Sequence, residues 1–185
     1  MKHTDRSRFI FLFATMLAVI SVAPAGAQTA AELSQRSRRA LNQLCAQNSA
    51  AARLRRSAVG ILVFPDILKA GFIFGGQHGE GALFEGGQAV RYYRTTAASY
   101  GLQAGAQRFG YALFFMNQGD LNYLHKTNGW ELGSGPSLVM VDQGMARSFT
   151  TTTLQKGVYA FTFNQQGLMG GLGLQGSKIT PFRPD

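Results

Sequence analysis

Acidic side chains are scarce in this chain. Nine Asp and Glu stand against 18 Lys and Arg over 185 residues, for a formal net charge of +9. Cysteine occurs once, at Cys45, so an internal disulfide is excluded and stability must come from packing. Histidine occurs three times, and of the two beyond residue 27, His78 and His125, neither has a neighbour at metal-ligand spacing beyond a bare His78-x-Glu80. There is no Gly-x-Ser-x-Gly nucleophile elbow and no local Cys/His signature, so neither form of nucleophilic catalysis has a foothold. Glu80 with Glu85, or Glu131 with Asp142, are carboxylates that nothing in the sequence draws together, and they read as turn and strand-edge charges. The expectation is a protein that is not an enzyme and carries neither cofactor nor metal.

Long apolar runs are also missing. The longest, FIFLFATMLAVISV, has 14 residues, short of the roughly 18 that a spanning helix needs. It follows the basic stretch MKHTDRSR and precedes Ala25-Gly26-Ala27, a small-x-small site. Residues 1–27 therefore read as a cleaved signal peptide, and the remaining 28–185 as one exported domain, periplasmic or secreted. A chain of that length can bury a sizeable core.

What is present in excess is positive charge, and it is uneven. Segment 29–60 holds Arg36, Arg38, Arg39, Arg53, Arg55 and Arg56 against Glu32 alone, while residues 61–185 are nearly balanced. Such a segment on a near-neutral body suits a polyanion, and for an exported protein the available one is a surface of anionic phospholipid. No nucleic acid or nucleotide is expected.

Residues 28–59 are rich in Ala, Leu, Gln and Arg and lack proline, which predicts helix. Leu33, Ala40, Leu44 and Ala51 fall near one face, with Leu41 and Leu54 flanking and Arg38 and Arg39 turned away. Asn48-Ser49 ends one helix and caps a second, shorter one. From 60 onwards β-branched and aromatic runs recur at short intervals: 61–64, 71–74, 81–84, 89–93, 99–107, 111–116, 137–141, 147–152, 158–163 and 168–179. Pro65-Asp66 reads as the end of the first, and 120–126 as the one helix among them. Strands so close leave no room for crossover helices. The fold class is α+β: N-terminal helices packed on a strongly twisted, mostly antiparallel, glycine-rich sheet or partial barrel.

Near the end, Gly171-Leu172-Gly173-Leu174-Gln175-Gly176 spells G-x-G-x-x-G. A dinucleotide site needs a helix opening on that motif and an acidic residue about 20 positions later, and only nine residues remain. The glycines here, like those at 75–81 and 101–105, read as places where strands coil sharply or backbones approach.

Three stretches resemble the SYLF domain, a lipid-binding domain of bacterial exported proteins and of eukaryotic adaptors near membranes and actin. They are AVGILVFP, continuing through KAGF to GGQHGEG; SYGLQAGAQ; and GLMGGLGLQGSKI. Their order and spacing fit the family over roughly residues 30–180. The resemblance implies phospholipid binding through a basic surface and an N-terminal amphipathic helix, with a phosphoinositide preference in eukaryotic relatives. Two departures stand out. Val59 replaces a common lysine, and Tyr92-Tyr93-Arg94-Thr95-Thr96 replaces the eukaryotic Trp-Ser segment. Both favour anionic lipid in general over phosphoinositides. The residues expected to meet headgroups are Arg53, Arg55 and Arg56 beside Lys69, with Arg38 and Arg39 adding to them. The alternatives are a structural or protein-interaction module of the periplasm, and a carrier enclosing a single lipid within the curved sheet.

Overall fold

The computed structural model describes residues 28–141, 157–167, 174 and 176–185, apart from the side chains of 72, 73 and 99–104. The leader at 1–27, the strand expected at 147–152 and most of that at 168–179 lie outside the described residues.

Helix α1 (Ala30–Gln47) opens on a reciprocal cap. Thr29 Oγ1 accepts from the Glu32 amide at 3.2 Å, and the Glu32 carboxylate accepts from the Thr29 amide at 3.0 Å. The same bonds hold the exposed Glu32 carboxyl below its ordinary range. Asn48 has extended backbone dihedrals and ends α1, and its side-chain oxygen accepts from Ala50 and Ala51 to start α2 (Ser49–Ser57). Leu33, Leu41, Leu44 and Leu54 are all buried, the two expected flanking leucines included.

β1 (Gly60–Glu85) and β2 (Gln88–Phe115) form one long antiparallel hairpin, closed by Gly86 and Gly87, both at positive φ. This revises the sequence reading, which divides the same residues into six short strands. The presumed breakers turn out to be bulges. Pro65 and Asp66 stand opposite the single residue Gly110, so the proline, which has no N–H to give a ladder, falls where the ladder is interrupted. Near the middle, Ile73 of β1 faces three β2 residues, and there the hairpin bends back on itself. A side chain at Gly71 would overlap the Gly75 backbone. After the bend, β1 returns so closely that a Cβ on Gly81 would overlap the Val63 carbonyl oxygen.

The other elements add to this hairpin. α3 (Gln118–Lys126) starts two residues before the expected helix, with Asn117 as its cap. β3 (Trp130–Glu131) is a two-residue strand, and β4 (Leu138–Met140) lies within the expected 137–141. β5 (Val158–Gly167) pairs with the second half of β2, and β6 (Lys178–Phe182) with its first half. The six strands among the described residues run β3-β6-β2-β5-β4 with β1 also on β2, antiparallel except where β4 meets β5. The result is a strongly curled half-barrel with the N-terminal helices packed on it, in agreement with the α+β reading.

Both faces of the sheet are covered, which explains the unbroken apolar runs. Ile61, Val63, Ala112, Phe114 and Phe161 pack towards α1 and α2. The residues between them, Leu62, Phe64, Tyr111, Leu113, Phe115 and Ala160, point into the curl with Trp130 and Leu121. Each large side chain so buried contributes roughly 1.5–3 kcal/mol.

Candidate functional site

The six basic residues expected to contact headgroups are split by the fold into separate groups. Arg38 projects from the flank of α1, donates from Nη1 to the Gly87 carbonyl at 2.9 Å, and lies 5.1 Å from the centre of the Phe84 ring. Arg55 projects from α2 and donates from Nη1 to Asn42 Oδ1 of α1 at 2.8 Å. These two converge on a cleft of about 180 Å³ floored by Leu41, Ile61 and Phe84 and closed by Val59 and the Gly86-Gly87 turn. Both arginines are exposed residues, and no carboxylate belongs to the lining. Cys45 lies beside Arg55. Burial pushes its thiol up, and the nearby guanidinium offsets part of the rise.

Arg53 and Arg56 occupy another stripe of α2, three residues apart, with Arg53 reaching Ser49 Oγ at 3.5 Å. Arg39 is exposed on α1, one position round from Arg38. Lys69 does not join them. It sits opposite Gln107, nine residues along β1 from Gly60, or about 30 Å of strand path. The sequence reading places it beside the arginines because α2 and β1 are adjacent in the chain; a long continuous strand carries it away.

Asp66 is shared by Arg36 at 3.7 Å and Arg108 at 2.8 Å, Glu80 pairs with Arg94 at 2.9 Å, and Glu85 with His125 at 2.7 Å. Arg38 and Arg55 instead donate to neutral acceptors and keep their charge available.

A second basic concavity, of about 460 Å³, lies on the other side of the hairpin turn and brings together Arg91, His125 and Arg183. Arg91 is held by donating to the His125 carbonyl at 3.0 Å. Sequence reasoning misses this trio because its members lie 34 and 58 positions apart; it is assembled by the pairing of Tyr92 with Phe182 and the docking of α3.

Among the described residues no group of three His, Cys, Asp or Glu is placed to hold a metal ion, and no helix is long and apolar enough to cross a membrane. Most of the G-x-G-x-x-G stretch lies outside the described residues. Its last glycine, Gly176, has φ +78 and leads into strand β6 where a dinucleotide fingerprint requires a helix. Comparison with protein-family models and with curated proteins finds no match to this chain. The SYLF resemblance therefore rests on the three quoted stretches. Two of them face each other across the bend of the hairpin, where Gly71 pairs with Gly105 and Gly75 with Ser99.

Proposed function

We propose that this chain is an exported, non-enzymatic protein that associates with anionic phospholipid surfaces, with Arg38 and Arg55 as its principal phosphate contacts. The observation that carries the reading is the cleft itself: two exposed arginines, an apolar floor, and a lining without a carboxylate. Guanidinium groups bind phosphate oxygens in a bidentate fork, and the apolar floor suits the glycerol end of a headgroup. A space of about 180 Å³ is below the several hundred Å³ that a drug-sized ligand fills, so it suits a headgroup and not a whole lipid. The inside of the curl is filled by Phe64, Tyr111, Leu113, Phe115 and Trp130, which weighs against the alternative of a carrier enclosing one lipid. Arg39, Arg53 and Arg56 add attraction at longer range, within a screening length of about 10 Å at roughly 0.1 M salt.

A basic residue near an anionic surface contributes about 1 kcal/mol at best. Replacing Arg38 and Arg55 together by Ala should lower partitioning onto phosphatidylglycerol-containing vesicles by roughly tenfold in low salt, with far-UV circular dichroism unchanged. The wild type should bind zwitterionic vesicles weakly and release anionic ones as salt rises. Equal binding to both vesicle types, or indifference to salt, refutes the proposal. Stoichiometric capture of one protein with no vesicle binding supports the protein-interaction alternative instead.

A further inference from the structure

The most exposed large apolar side chain among the described residues is Phe74, with 73% of its surface open to solvent, and Leu68 nearby is 44% exposed. Phe74 lies at the bend of the β1–β2 hairpin, and Leu68 lies further back along β1, opposite Arg108. Single exposed hydrophobes are ordinary on protein surfaces; three features set this place apart.

The first is its composition. Residues 70–77 of β1 and 95–107 of β2, the two strands that form the bend, contain no Asp, Glu, Lys, Arg or His, in a chain with 30 such residues. The second is the rim. Immediately behind this uncharged cap stand Lys69, Arg36, Arg94 and Arg108 against two carboxylates, Asp66 and Glu80. Because Asp66 serves two arginines, the rim retains positive charge. The third is the backbone. The strands stay paired on either side of the bend, with Phe72 opposite Ala104 and Phe74 opposite Tyr100, and the ladder is interrupted only where Ile73 faces residues 101–103. Each amide paired across the two strands lowers the cost of taking this end out of water.

The geometry points to the bend of the hairpin as an insertion tip, whose Phe74 enters the boundary between headgroups and acyl chains of an anionic lipid surface. An uncharged cap bearing the exposed Phe74, with a basic rim, matches the layering of such a surface, acyl chains below and phosphates above. The inference rests on the lipid-surface reading above but uses different residues. The tip is the end of the hairpin opposite the Arg38–Arg55 cleft, since Ile61 and Phe84 of the cleft lie near the two ends of β1 and Phe74 near its middle.

The test is Phe74→Trp in the mature chain, mixed with phosphatidylglycerol-containing vesicles carrying brominated acyl chains. The native Trp130 is 1% exposed and provides a constant background. On vesicles that bind the protein, the added indole should shift to the blue and be quenched by the bromines. Phe74→Ser should lower partitioning by about tenfold, and this loss should persist at high salt, unlike that from the arginine substitutions. Bound protein whose added Trp stays unshifted and unquenched overturns the tip while leaving the arginine cleft standing. Absence of wild-type binding to anionic vesicles overturns both. A dimer that Phe74→Ser dissociates, with vesicle binding unchanged, overturns the tip in favour of self-association.

Discussion

Tyr111 and Thr95 belong to the same strand, sixteen residues apart, yet the Tyr111 hydroxyl donates to Thr95 Oγ1 at 3.0 Å inside the curl. Only a strand that bends back on itself allows that contact. Burial pushes the Tyr111 phenol above its ordinary range, with Thr95 offsetting a little of the rise. In the unfolded chain the phenol ionises near pH 10, whereas in the folded protein it stays neutral well above that. The unfolded state thus holds fewer protons in this window, and stability falls as pH rises through it. The urea midpoint of the wild type should decline above roughly pH 10, and Tyr111→Phe should decline less steeply. Tyr93 and Tyr159 are also shifted upward by burial, so some slope should remain. Parallel slopes for the two proteins would assign the effect to those residues. Near neutral pH, Tyr111→Phe should cost about 1–3 kcal/mol, because the Thr95 hydroxyl is left buried without its partner.

At the level of elements, the hairpin's return path depends on particular glycines. A Cβ at Gly81 would overlap the Val63 carbonyl and come within 2.8 Å of the Phe64 ring, and backbone cannot step aside as a side-chain end can. Gly81→Ala should therefore lose about 2 kcal/mol, whereas Gly76→Ala, whose nearest neighbour would be 3.9 Å away, should change stability by less than about 0.5 kcal/mol. Urea denaturation of the two variants side by side measures the contrast; equal losses would mean that the return path is not tight. The helices were the legible part of the sequence, because their signals are local. Leucine spacing marks the buried face, and Asn48 marks the break. The cap that starts α1, Thr29-x-x-Glu32, is equally local but was missed in the sequence reading and emerges from the structure. The hairpin was only half legible. Its apolar runs are visible, but Pro65-Asp66 and the glycine clusters read equally well as turns, and only pairing with β2 decides that they are bulges. The arginine cleft was legible as charge but not as place, since the Gly87 carbonyl that Arg38 reaches is 49 positions away.

On the scale of the whole molecule, nearly every element is attached to β2. It carries β1 along one edge and β5 and β6 along the other, while α1 and α2 cover the sheet. That arrangement has a kinetic consequence. Pairing can start locally only at the Gly86-Gly87 turn, and register then has to propagate outward through three irregularities before Gly60 meets Phe115. The surface on which α1 and α2 dock includes Ile61, Val63 and Phe114, residues from the last part of the hairpin to close. Although the helices lie first in the chain, their packing must come late. Topologies dominated by distant pairings fold in milliseconds to seconds, and stopped-flow refolding followed by Trp130 emission should fall in that range. A microsecond phase carrying the full amplitude would exclude this order of events. The long bent hairpin thus acts as a template completed from its turn, and the residues made earliest wait for those made later before they have anything to pack against.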